Sequence, residues 1–176
     1  MNRIQHFSLH TTLLSHFEEL NLHLLEGLMR HIDDENTRKT HLFFGRYENI
    51  YLTSKQIPQI NDVLNSVIEI AARILKRPTN ELKAGLWFNV MNPGDRTTLH
   101  KHDDDDELLS AVYYIKVPEN SGDLVIGKTP AFTRLIPQEG MLAFFPPSMP
   151  HEVTENLSSD CRISLGINIG PLHPEE

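Results

Sequence analysis

Beyond about residue 80 the chain breaks into eight short runs rich in β-branched and aromatic residues. They lie at about 84–91, 96–102, 109–117, 123–126, 132–136, 141–145, 150–154 and 161–169. Between them stand Asn92-Pro93-Gly94-Asp95, Pro118-Glu119-Asn120-Ser121-Gly122 and Gln138-Glu139-Gly140. In such clusters Asn and Asp bond their own backbone, Pro pre-sets φ and Gly supplies positive φ, so each reverses the chain. Eight closely spaced strands predict a sandwich or barrel, and eight is the strand number of a jelly roll.

The first 80 residues follow a different period. Phe17, Leu20, Leu24, Leu28 and Ile32 recur every three or four positions from Leu13, predicting a helix with Thr12 as N-cap. Ile60, Val63, Leu64, Val67, Ile68, Ala71, Ile74 and Leu75 predict a second helix from about Pro58 to Lys76, ended by Pro78. The fold class expected is mainly β with N-terminal helices. Residues 1–176 read as a single domain, with a helical buttress (1–80) packed on one face of a β core (81–170). A chain of 176 residues suits this, because domains cluster at roughly 100–150 residues.

Charge narrows the partners. Lys+Arg 16 against Asp+Glu 24 leaves a net charge of −8. Nucleic acid and anionic membrane are disfavoured, since binding to phosphate depends on Lys and Arg. Cys161 is the only cysteine, so an internal disulfide is excluded and a reducing compartment fits. No apolar run approaches the roughly 20 residues of a membrane span, and the N-terminus has no signal-peptide core. A soluble cytoplasmic protein is expected.

Six of the ten histidines fall in the first 41 residues. His16, His23 and His31 share a helix face with Glu19, Glu26 and Arg30, opposite the leucine stripe, and read as a solvated surface. His100 and His102 differ. Residues i and i+2 of a strand point to one face, so the two imidazoles project together, and a metal is the common partner of such a pair.

The surrounding spacing resembles known families. Gly94, His100-Lys101-His102 and Glu107 resemble the first cupin motif, and Gly140, Pro146 and His151 resemble the second. The implied fold is the cupin-like double-stranded β-helix, in which His151 on the seventh strand returns beside the second. A more specific resemblance spans about residues 84–170. Leu109-Ser110-Ala111-Val112-Tyr113-Tyr114-Ile115 through Leu124, Phe144-Phe145-Pro146, His151 and Arg162-Ile163-Ser164-Leu165 resemble Fe(II)/2-oxoglutarate oxygenases of the prolyl-hydroxylase-like branch. Arg162 lies 11 residues after His151, where that superfamily places its Arg-x-Ser. The resemblance implies that Arg162, aided by Ser164, holds the distal carboxylate of 2-oxoglutarate. A guanidinium matches a carboxylate with two parallel charge-assisted hydrogen bonds.

That family's metal site is two histidines and one carboxylate, and His102 stands where the carboxylate belongs. The metal set implied is His100, His102 and His151, with Asp104 as the alternative third ligand and Glu107 a further one by analogy with cupins. Tyr113 and Tyr114 face opposite ways, so one of them faces the barrel interior and the cosubstrate; Asn89 is a further cosubstrate candidate. Trp87, Phe88, Phe144 and Phe145 read as core, and Cys161 as a small buried hydrophobe. The run Asp103-Asp104-Asp105-Asp106-Glu107 reads as a solvated loop that can also recruit a cationic substrate.

The function implied is a non-haem Fe(II)- and 2-oxoglutarate-dependent dioxygenase hydroxylating a peptide, amino acid or small molecule. The alternatives are a cupin-type metal-dependent dioxygenase and a non-catalytic metal- or ligand-binding domain, neither using 2-oxoglutarate.

Overall fold

All eight expected strands are present in the computed structural model, which describes residues 9–101 and 106–173. In chain order the elements are β1 (His10–Leu13), α1 (Phe17–His31), β2 (Arg38–Phe43), β3 (Arg46–Tyr51), α2 (Ile60–Leu75), β4 (Leu82–Met91), β5 (Thr97–His100), β6 (Leu109–Lys116), β7 (Leu124–Lys128), β8 (Ala131–Leu135), β9 (Met141–Phe145), β10 (His151–Val153) and β11 (Arg162–Pro171). Seven strands form an antiparallel sheet in the order β1-β9-β6-β11-β4-β3-β2, and four form a second, β5-β10-β7-β8. From β4 onward the chain passes repeatedly between the two sheets. The fold is therefore a double-stranded β-helix, as expected.

The two faces of the large sheet do different work. On β11, Ile163, Leu165, Ile167 and Ile169 join Leu24 and Leu28 of α1 and Val63, Val67 and Ala71 of α2 in the main core. The alternate residues Arg162, Ser164, Gly166 and Asn168 line the space between the sheets. This is the period of two of a strand with two different neighbours. Phe88 on β4 is fully buried in the same helix-facing core. Phe88→Ala should cost about 3–5 kcal/mol of stability. A urea titration should show a lower midpoint with an unchanged slope; a change below about 0.5 kcal/mol, the size of an ordinary surface substitution, would contradict this packing.

Two expectations are corrected. Residues 1–80 are not wholly helical, since β1, β2 and β3 lie there and extend the large sheet at both ends. β2 is exposed along much of its length and is held by its hairpin partner β3, so it shows no buried periodicity. Thr12 does not cap α1, because it pairs with Leu142 of β9. His16 occupies the cap position, at φ 56° and without a side-chain cap bond. α2 matches closely, and ends where Lys76 turns left-handed at φ 55°. No helix among the described residues is long and apolar enough to cross a membrane.

Candidate active site

β5 and β10 are hydrogen-bonded neighbours, and their register sets His100 opposite His151. The imidazole centroids are 4.3 Å apart. Each ring directs Nδ1 at a backbone carbonyl oxygen two residues earlier, Thr98 at 2.8 Å and Met149 at 3.0 Å. A carbonyl only accepts, so Nδ1 carries the proton in both rings, and in the neutral form of each the lone pair is on Nε2. That tautomer, oriented by a backbone carbonyl, is what a metal-ligating histidine requires. Phe145 meets His151 edge-on at 4.8 Å.

Among the described residues no three His, Cys, Asp or Glu side chains gather into one group. His102 and Asp104, the alternatives for a third ligand, lie outside the described residues. Glu107 lines the same cavity, and its Oε1 accepts a hydrogen bond from Asn168 Nδ2. Asp106 instead pairs with His173 at 2.6 Å, and this hydrogen bond holds its carboxyl below the usual range.

Arg162 opens β11, lines the same cavity and is only 1% exposed. Its Nη1 donates to the Gly122 carbonyl at 2.9 Å, and the guanidinium lies over the Tyr114 ring, 5.1 Å from its centroid. Gly122 has φ +96°, and a Cβ there would fall 2.3 Å from the Thr154 carbonyl oxygen, so only glycine presents that carbonyl. Arg162 Nε and the Tyr114 hydroxyl are buried without hydrogen-bond partners, and no carboxylate among the described residues pairs with the guanidinium. Burial lowers the Arg162 pKa, against the opposing pull of Tyr114 and Asp123, and burial pushes the Tyr114 phenol up to about 12. A desolvated cation beside a protonated phenol offers two donors that an anion can satisfy together.

The tyrosine question is settled by α1. Tyr113 faces the helix, where its hydroxyl donates to Asn21 Oδ1 at 2.6 Å, while Asn21 Nδ2 donates to the Ile115 carbonyl at 2.8 Å. Tyr113 is thus removed as a cosubstrate residue, and Tyr114 is the inward one. Ser164 is buried opposite Asn89 in the β11–β4 register, and both line the cavity with Arg162. Asn89 Nδ2 donates to the Glu48 carbonyl at 2.9 Å, which anchors that side chain from β3.

The cavity measures about 460 Å³ and is lined by both the His100–His151 pair and Arg162. This is within the roughly 300–1,000 Å³ typical of small-molecule sites. Phe88 and Phe144 are core as expected, and so is Phe145, buried with Leu124 and Ile126 in a smaller cluster while its ring also borders the cavity; Trp87 instead lines the cavity and is only partly buried. Cys161 is half-buried rather than buried, beside the Lys116–Asp160 ion pair. Ser110 and Asn168 were not singled out by the sequence. Their signal is the strand period: Ser110 is four residues before Tyr114, and Asn168 six after Arg162, on the same inward faces.

No family model and no curated protein matches the sequence. Solved structures do match the fold. A prolyl-4-hydroxylase from Pseudomonas putida has a TM-score of 0.73 at 18% identity, covering 94% of each chain. The non-heme alpha ketoglutarate dependent carbocyclase SnoK from nogalamycin biosynthesis has 0.70 at 13%, over 93% of this chain and 79% of that one. A Trichoplax adhaerens prolyl hydroxylase, solved with a hypoxia inducible factor oxygen degradation domain peptide fragment, has 0.67 at 14%, over 93% of this chain and 83% of that one. The chain has the fold of the Fe(II)/2-oxoglutarate oxygenases in its prolyl-hydroxylase-like form.

Proposed function

We propose that the chain is a non-haem Fe(II)- and 2-oxoglutarate-dependent dioxygenase that hydroxylates a peptide, amino acid or small molecule, with the helices and the barrel working as one unit. The observation that carries the reading is Arg162, a buried cation with an unpartnered Nε beside the unpartnered Tyr114 hydroxyl, in a cavity that two histidines also line. Uncompensated, such a charge is costly, and a carboxylate satisfies Nε and the phenol together.

His100 and His151 would hold the iron, with His102 or Asp104 as the third ligand. Bound iron supplies O2 activation coupled to decarboxylation of 2-oxoglutarate to succinate and CO2. The chain's own part is positional. Arg162, Tyr114 and Ser164 bind the distal carboxylate, so the cosubstrate is oriented along the cavity with its keto acid toward the histidines. Phe145 and Trp87 give the cavity apolar walls that limit water around the reacting groups.

Anaerobically purified protein given Fe(II), 2-oxoglutarate and then air should form succinate without added substrate, at a slow uncoupled rate measurable by NMR. Omitting iron should stop it. Metal-dependent O2 uptake that does not need 2-oxoglutarate would favour the cupin-type enzyme instead. If neither activity is seen, a binding module becomes the better reading.

A further inference from the structure

We infer that the molecule this cavity takes presents a primary carboxamide, its N–H and C=O read together by Asn168 and Ser110. The inference rests on the oxygenase reading only for the idea that this molecule is the one oxidised.

Ser110 on β6 and Asn168 on β11 are register partners, and both line the cavity. Ser110 also stands opposite Phe145, whose ring meets His151. Six residues of strand, roughly 20 Å, separate Asn168 from Arg162, so the pair is distinct from the anion site. Ser110 is 2% exposed, and its hydroxyl is buried without a hydrogen-bond partner, as is Asn168 Oδ1. The two atoms therefore do not bond each other, although directly opposed strand residues hold their Cβ atoms about 4.5–5.5 Å apart. Asn168 Nδ2 donates to Glu107 Oε1, which leaves the acceptor end of that amide unmatched. An amide oxygen only accepts, whereas a hydroxyl both donates and accepts.

Two unmade buried hydrogen bonds side by side are costly. The place suits an occupant that brings a donor to Oδ1 and an acceptor to the Ser110 hydroxyl. It does not call for a charge. Glu107 accepts from Asn168, has a further partner, and shares the adjoining cavity with Lys83. An added cation would stand near that ammonium, and an added anion would meet a carboxylate and an oxygen that only accepts. An aliphatic group would leave both atoms unmade, and a hydroxyl would have to serve both from one oxygen. A primary carboxamide fits, because its planar head carries an N–H and a carbonyl oxygen on one edge, on neighbouring atoms. A peptide unit does not, since its trans geometry points N–H and C=O in opposite directions.

Trp87 is the only tryptophan in the chain and lines the same cavity, so its fluorescence reports occupancy; calorimetry gives the affinity independently. The test titrates the full chain, with Zn(II) and with or without 2-oxoglutarate. The probes are propionamide and the N-acetyl methylamides of asparagine, glutamine, aspartate, 2,4-diaminobutyrate, leucine and serine. A carboxamide probe should saturate, and the aspartate, diaminobutyrate, leucine and serine probes should bind at least tenfold more weakly than the better of asparagine and glutamine. The peptide units common to the residue probes cancel in that comparison. Ser110→Ala and Asn168→Ala, shown to be folded by thermal melts, should each weaken the preferred carboxamide about tenfold and leave the leucine probe unchanged. Propionamide binding as tightly as the residue probes supports a small-molecule amide, and tighter binding of a residue probe supports an Asn or Gln side chain in a peptide. Equal affinity of the wild type and Ser110→Ala overturns the inference; it is the result expected if the two atoms merely share an ordered water. So does a leucine, serine or charged probe that matches the best carboxamide, or the absence of a saturable carboxamide signal by both methods. The readings fail separately: Ser110-dependent carboxamide binding without 2-oxoglutarate binding removes the oxygenase alone, and the converse removes the substrate class alone.

Discussion

Arg162→Ala should weaken 2-oxoglutarate binding by on the order of 30-fold or more, because truncating one partner of a buried charge pair typically costs about 2–5 kcal/mol. The distal carboxylate would lose its guanidinium and keep only the Tyr114 and Ser164 hydroxyls, in a pocket where Arg162 is 1% exposed. Metal content should stay near wild type, since the guanidinium lies against Gly122 and Tyr114 and not against the histidines. Arg162→Lys should recover only part of the loss, because an ammonium lacks the planar fork that serves the Gly122 carbonyl and a carboxylate together. The measurement is anaerobic titration of the Fe(II) protein, following the absorbance that keto-acid chelation produces. Thermal melts of both variants guard against a loss that is merely unfolding. Wild-type affinity in a folded Arg162→Ala protein would remove the main support for the oxygenase reading.

Removing either imidazole should have the second large effect. His100→Ala and His151→Ala should each lower metal affinity by more than the roughly 10- to 100-fold that loss of an outer-shell partner costs. Dialysed samples should then retain no stoichiometric metal by elemental analysis. His23→Ala should keep wild-type content, because that side chain sits on α1 beside Glu19 at 3.9 Å, on the helix surface. Asp104→Ala and His102→Ala, measured side by side, assign the third ligand: the one that loses metal supplies it. Wild-type metal in both His100→Ala and His151→Ala would refute the site.

The strands were legible because each carries its own evidence. Runs such as Leu109–Lys116 and Arg162–Pro171 are bounded by Pro, Gly and Asn clusters, and turn chemistry acts within a few residues. The β2–β3 hairpin was not legible: Arg38–Phe43 is an exposed edge strand with no hydrophobic face to betray it. His100, His151 and Arg162 were found by spacing and resemblance, and the fold brings them into one cavity. The local pattern said that Tyr113 and Tyr114 diverge, but not which of them turns inward.

The alternation of side chains along each strand was thus determined by sequence alone, since it follows from a backbone period of two. What lies on each side of the strand was decided by tertiary structure. Asn21, about 90 residues away on α1, captures the Tyr113 hydroxyl and so leaves Tyr114 to Arg162. The pairing of β5 with β10 sets His100 against His151, and the β6–β11 register sets Ser110 beside Asn168. Burial and partnership depend on which strands become neighbours, and that depends on packing the whole chain around one core, not on any local run of residues.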